Sequence, residues 1–118
     1  MKNAHQDGRV LDFTLEAAVE SGGVVTKGRL VGVAVSKGAI GDTIAVHVEG
    51  VFRLPKLDAA VIAVGAPVTW DVSAAEVIIA GAAVGDVENF GYAVEAAGNG
   101  TADVLVRLCP GVGVVKAA

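Results

Sequence analysis

Aromatic side chains are scarce in this chain. Phe13, Phe52, Trp70, Phe90 and Tyr92 make up 4% of its 118 residues. They are too spread out to interleave with basic residues on adjacent strands, as an RNA-binding platform requires. Histidine is limited to His5 and His47, and cysteine to Cys109. A lone cysteine builds no intramolecular disulfide framework, and metal sites need clustered Cys, His or carboxylates. The nine basic residues never stand side by side, and the net charge is −4. Both facts argue against a nucleic-acid partner. No apolar run approaches the roughly 18 residues of a membrane-spanning helix. Residues 1–7 are polar and no apolar signal-peptide core follows, so the expectation is a chain made and kept, or assembled, inside a cell.

Motifs for catalysis are also missing. Ser21, Ser36 and Ser73 fall in turns, where serine is common, and none sits in a Gly-x-Ser-x-Gly elbow. Residues 81–85 and 111–113 are glycine-bearing, but no Lys-Ser/Thr pair and no helix pattern follows them. Cys109 precedes Pro110 and reads as a small hydrophobe at a strand end, since a reactive thiol wants a basic neighbourhood. The carboxylates are dispersed, and nothing in their spacing suggests a glycosidase pair. No cofactor and no metal ligand set is expected, and the chain is not expected to be an enzyme.

What the chain does have is Val, Ala and Gly, which together make up half of it. Val favours strands and disfavours helix, and Gly serves turns and close approaches. A core of such small side chains suits thin, closely packed sheets, with or without apolar surface buried against other subunits. One domain of this size buries roughly two thirds of its unfolded surface.

The most ordered pattern occurs twice. Gly32-Val33-Ala34-Val35 runs through Gly41 and Val46-His47-Val48 to Gly50. Gly91-Tyr92-Ala93-Val94 runs through Gly100 and Val106-Arg107-Leu108 to Gly111. Each copy reads as strand, glycine turn, strand. The apolar positions persist between copies, while His47 in one is Arg107 in the other. That position is expected to face solvent or a partner.

Along the rest of the chain, Leu11, Phe13 and Leu15 alternate with polar residues and predict a half-buried strand. Residues 24–26 and 30–35 follow as short strands. Ile44, Val46 and Val48 share one face, and Ala45, His47 and Glu49 the other. Residues 50–56 read as a strand stopped by Pro55. Residues 57–64 are ambiguous between a helical turn and a strand. Residues 68–70 and 76–80 form a hairpin, with Trp70 covering one end of the core. Residues 81–89 read as a connection, and 111–118 as a small-residue tail. The expectation is an all-β fold, a compact sandwich or barrel of about nine to ten short strands. Residues 1–9 form an extended N-terminal arm, 10–110 a single β domain and 111–118 a C-terminal tail.

Leu30-Val31-Gly32-Val33-Ala34-Val35, residues 50–56, Gly65-Ala66-Pro67-Val68-Thr69-Trp70-Asp71 and Gly91-Tyr92-Ala93-Val94-Glu95-Ala96-Ala97 together carry a resemblance. In order and spacing they resemble the small capsid cement, or decoration, proteins of tailed bacteriophages and prophages. The polar start, with Asn3 and Gln6 before Gly8-Arg9-Val10, is similar too. Ala75-Glu76 stands where the resemblance leads one to expect Gly and a basic residue, and the tail is longer than usual. The resemblance implies a β-rich, non-catalytic subunit that binds the outside of the capsid and reinforces it. Its partner would be the major capsid protein. It implies a homo-oligomer, a trimer before a dimer, located on the virion after assembly in the host cytoplasm. Candidate partner-binding residues are Asn3, His5, Gln6 and Arg9 in the arm, with His47 and Arg107 on the outer faces. Two other classes stay open at this point. A ligand- or carbohydrate-binding β-barrel would expose Trp70 or Tyr92 inside a concave pocket. A small hydrolase would bring a histidine near a serine or cysteine.

Overall fold

A computed structural model describes residues 9–117. These residues form ten strands and no helix: β1 (Val10–Thr14), β2 (Val24–Lys27), β3 (Leu30–Ala34), β4 (Thr43–His47), β5 (Gly50–Pro55), β6 (Pro67–Asp71), β7 (Glu76–Ile78), β8 (Val87–Ala93), β9 (Asp103–Leu108) and β10 (Val114–Val115). They build two antiparallel sheets, ordered β1-β4-β3-β2 and β5-β9-β8-β6-β7, with β10 paired to β8. The all-β expectation holds.

The two echoing hairpins are β3–β4 and β8–β9, and they pair in the same register. Val33 faces His47 and Ala34 faces Val46, as Tyr92 faces Arg107 and Ala93 faces Val106. The likeness extends beyond the hairpins. β1 runs beside β4 with Phe13 opposite Ile44, as β5 runs beside β9 with Leu54 opposite Val104. β2 meets β3 with Val25 opposite Gly32, as β6 meets β8 with Val68 opposite Gly91. Bonds outside the ladders repeat as well. Gly22 donates to the Ala34 carbonyl at 2.9 Å, and Gly65 to the Ala93 carbonyl at 2.7 Å. The described residues are therefore two copies of one four-stranded unit in tandem, the second carrying β7 and β10 as additions.

A steric reason for both echo glycines follows from that register. A Cβ on Gly32 would lie 2.8 Å from the His47 carbonyl oxygen, and one on Gly91 2.2 Å from the Arg107 carbonyl oxygen. Only glycine lets these strands approach so closely. Five tight turns share one construction as well. Residues 20–23, 39–42, 63–66, 83–86 and 98–101 each close with an N–H of the fourth residue on the carbonyl of the first, at 2.9 to 3.2 Å. The third residue is always glycine at positive φ, 90° at Gly41 and 92° at Gly100. This is a type II turn.

Side chains alternate about the sheets as the pattern 44–49 requires: Ile44, Val46 and Val48 are buried, while Ala45, His47 and Glu49 are half-buried. A large cluster joins Leu54, Trp70, Val87, Val104, Val106 and Leu108 of the second unit to Val31 and Val33 of the first. A smaller cluster, with Phe13, Leu15, Ile44 and Val46, fills the other face of the first sheet. The second sheet curls towards closure. Lys56 bridges Val77 in parallel, and the Leu57 N–H donates to the Val77 carbonyl at 3.0 Å.

Residues 57–66 hold no helix. Ile62 bridges Ala97, just as Val19 bridges Gly38 in the first unit. The segment 81–89, expected to be a connection, is strand from Val87 onward. A bulge between Val68 and Trp70 and a left-handed Asn89 (φ 57°) mark this stretch, which carries buried Phe90. The segment 111–118, expected to be a tail, contains β10, and Lys116 exchanges backbone hydrogen bonds with Gly85 and Asp86 at 2.9 Å each. Two paired residues leave no periodic trace in a sequence.

Candidate functional site

Asn3, His5 and Gln6 lie outside the described residues. Arg9 is exposed at the entry to β1, where its carbonyl accepts the Val48 N–H at 2.9 Å. His47 is next to it in the ladder, opposite Val10. The imidazole is half-buried, with its centroid 5.4 Å from that of Phe52. One side of the His47 ring thus packs on the second unit of its own chain, and part of the residue stays exposed. Arg107 lies on the other sheet, between Val51 and Tyr92. Its Nη1 donates to Cys109 Sγ at 3.6 Å. Arg9 and His47 are thus one position out of step in the β1–β4 ladder and take opposite faces, and Arg107 is apart from both.

Ser21, Ser73, Asp71 and Asp86 are occupied in turns. The Ser21 hydroxyl donates to the Val35 carbonyl at 3.2 Å, and the Ser73 hydroxyl to Asp71 Oδ1 at 2.9 Å. Asp71 also accepts the N–H groups of Ser73 and Ala74 at 3.1 Å each. The Ala74 N–H, then the Ser73 hydroxyl, hold its carboxyl below the usual aspartate value. Asp86 is buried and accepts the Ala83 N–H at 2.9 Å and the Val72 N–H at 3.1 Å. Among the described residues, no three His, Cys, Asp or Glu side chains stand close enough to share a metal ion.

One buried cation escaped the sequence reading. Lys56 is 3% exposed, and its Nζ donates to the carbonyls of Leu57 (2.6 Å), Asp58 (3.2 Å) and Ala60 (2.6 Å). Three donors meet three acceptors, so the ammonium is fully bonded and pins the 57–60 turn. Leu15 takes this place in the first unit, one residue beyond β1 as Lys56 is one beyond β5. Nothing in the spacing distinguishes a lysine that caps a buried turn from one at a solvated strand end.

Two shallow grooves open on the surface. One, of about 310 Å³, lies beside Leu15, Val25, Trp70, Val72 and Ala75. The other, of about 340 Å³, lies beside Val19, Lys37, Gly38 and Asp42. Trp70 borders the first, yet is 4% exposed and packs edge-on to Phe90 at 6.5 Å. Tyr92 borders neither. An aromatic-lined ligand pocket is not formed by these side chains.

With residue chemistry confined to turns and apolar packing, the comparison with known families decides the matter. A family model described as "Phage cement protein" matches residues 5–108. The chain belongs to the phage cement protein family. No curated protein and no solved structure matches it. The match to the cement family spans both four-stranded units and ends at Leu108, the last residue of β9. In this cement-family chain β10 therefore lies beyond the family's shared part. Membership also gives the chain a structural role in association with the phage capsid.

Proposed function

We propose that this chain binds the outer surface of the phage capsid and stabilises the head, without catalysis. The observation that carries the reading is the family match across both units, 5–108. Ser21, Ser73, Asp71 and Asp86, whose side chains brace turns, are in keeping with it. A protein that binds only the mature shell stabilises it by its binding free energy, multiplied over many symmetric copies. The major capsid protein is the partner, with Asn3, His5, Gln6 and Arg9 as candidate contacts and His47 and Arg107 as further candidates. The acting form is a homo-oligomer, a trimer by resemblance, which joins the head in the host cytoplasm and stays on the virion exterior.

Co-sedimentation with intact heads is the test. The protein is expected to pellet with expanded heads, and heads carrying it should survive heating or chelation that bursts bare ones. Equal survival of both would refute stabilisation. A chain lacking residues 1–8 keeps the Arg9 carbonyl on Val48 and should fold. Its loss from the pellet supports the arm as the capsid contact, and undiminished binding removes the arm from the mechanism.

A further inference from the structure

The two units part company at β7. In the second unit this strand lies between β6 and the segment that follows β5. Trp70 pairs with Val77 and Thr69 with Ile78, Lys56 bridges Val77 in parallel, and the Leu57 N–H donates to the Val77 carbonyl at 3.0 Å. Val77 and Ile78 are buried there. The first unit has both flanks of this arrangement and no strand between them. Val25 stands for Val68, so Thr26 stands for Thr69, and Leu15 and Glu16 stand for Lys56 and Leu57. Residues 28–29 alone join β2 to β3, whereas residues 72–86, β7 among them, lie between β6 and β8.

What remains in the first unit is a slot along the free edge of β2. Lys27 pairs with Leu30 across a two-residue turn, and the Gly23 carbonyl accepts the Ala34 N–H at 2.8 Å. Alternation along an antiparallel ladder then turns the Thr26 N–H and carbonyl away from β3. Among the described residues, neither the Thr26 N–H nor the Glu16 N–H donates to a backbone carbonyl across this edge, as that of Leu57 does in the second unit. The groove of about 310 Å³ lies here, lined by residues 15–19 and 24–26 with Trp70, Val72 and Ala75 beside them. Val25 and Thr26 are half-buried, while their counterparts Val68 and Thr69 are buried. Lys27 Nζ reaches Glu16 Oε1 at 2.9 Å, and so exposed a pair opens at little cost.

We propose that an extended segment of the capsid protein enters this slot as the missing strand, antiparallel to β2 and parallel to residues 15–16. A strand added to an open sheet edge draws affinity from main-chain hydrogen bonds and specificity from its alternate side chains. β7 is the template for the occupant. It has two adjacent branched apolar residues, one to stand opposite Lys27 as Val77 stands opposite Trp70, the other opposite Thr26 as Ile78 stands opposite Thr69. The two ends of this chain do not offer such a segment. Residues 1–8 carry no branched apolar residue, and Val114–Val115 already pairs with β8. The inference rests on capsid binding and adds to it the surface used and the chemistry of the segment bound.

The test is hydrogen exchange, read by mass spectrometry on the full chain alone and on expanded heads. Peptides covering Glu16 and Thr26 should exchange openly in the free chain and at least tenfold more slowly on heads. Thr26→Pro removes the outward N–H at a position where an edge strand tolerates proline, and should weaken head binding at least tenfold. Val72→Lys sets a charge in the groove from a side chain 47% exposed, and should do the same. It also serves if Thr26→Pro does not fold. Ile40→Lys, at a turn tip 73% exposed, should bind as the wild type does. Head binding with no slowing at Glu16 and Thr26 overturns the proposal and leaves the cement role standing, as does full binding by Val72→Lys. Slow exchange at Thr26 in the free chain at single-chain mass assigns the slot to a segment of this chain. Slowing that grows with concentration in the absence of heads assigns it to a second copy. Either result overturns the proposal. A wild type that never joins heads overturns the proposed function and this inference together.

Discussion

Replacing Gly91 by alanine tests the close approach on which both units depend. Gly91 pairs with Leu108 in the middle of the second sheet. Its φ is not positive, so the backbone itself would accept alanine. The obstacle is space: the new Cβ would lie 2.2 Å from the Arg107 carbonyl oxygen and 3.0 Å from Val106 Cγ1. A carbonyl held in a ladder cannot swing aside as a side chain can. β8 and β9 must move apart by about an ångström, which strains a core packed near crystal density. Overpacking costs about 1–3 kcal/mol, and weakening the adjacent ladder bond about 1 kcal/mol more. A total of about 3 kcal/mol corresponds to a urea midpoint lower by about 2 M if m is near 1.5 kcal/mol/M. Gly32→Ala should cost a similar amount, since its Cβ would meet Val46 Cγ1 at 2.4 Å and the His47 carbonyl oxygen at 2.8 Å. Gly100→Ala is the control. It has nothing within 4 Å but sits at φ 92°, so it should cost only the left-handed penalty of about 1–2 kcal/mol. The measurement is equilibrium urea unfolding of all three variants. If Gly91→Ala were no more costly than Gly100→Ala, the steric account of the paired glycines would be wrong.

Three further outcomes are expected. Ala75 holds a left-handed backbone at φ 57° in the β6–β7 turn, so Ala75→Gly should raise stability by about 1 kcal/mol in the same urea assay. Lys56→Met keeps the volume but strips the donor from three carbonyls, and should cost about 2–4 kcal/mol by thermal unfolding. Asp71, held below 3.8 by the Ala74 N–H and the Ser73 hydroxyl, favours the folded state above its unfolded value. That contribution is lost as pH falls through the lower folded value. Carbon-detected NMR titration should place the Asp71 midpoint below 3.8, and Ser73→Ala should move it upward.

The hairpins of the repeat were legible because their residues recur as letters: Gly, apolar, Ala, apolar, then Gly at the turn. The alternation at 44–49 was legible because a half-buried strand imposes a period of two. The other half of each unit was hidden. β1 and β5 share a register but not residues, with Leu11, Asp12 and Phe13 against Phe52, Arg53 and Leu54. A backbone ladder constrains which face a side chain takes, not which apolar residue fills it. The burial of Lys56 was equally silent, because its carbonyl partners belong to a turn that exists only once β5 and β7 have met. The outward character expected for His47 and Arg107 came from their exchange between copies. Sequence gave no means of knowing that the second unit would fold over the first and leave these two residues in different surroundings.

The five type II turns divide the work between backbone and side chain. The glycine and the closing hydrogen bond define each loop, while the second residue stands at the tip and contributes nothing to the turn's closure. Those tips are Ser21, Ile40, Val64, Val84 and Asn99, with Ile40 73% exposed and Val64 66%. A hydroxyl, three branched alkyls and an amide thus occupy geometrically equivalent perches. The loops amount to five interchangeable fingertips on a fixed hand. Ile40, Val64, Val84 and Asn99 can therefore change without altering how the chain folds, whereas Ser21 also ties its hydroxyl to the Val35 carbonyl at 3.2 Å.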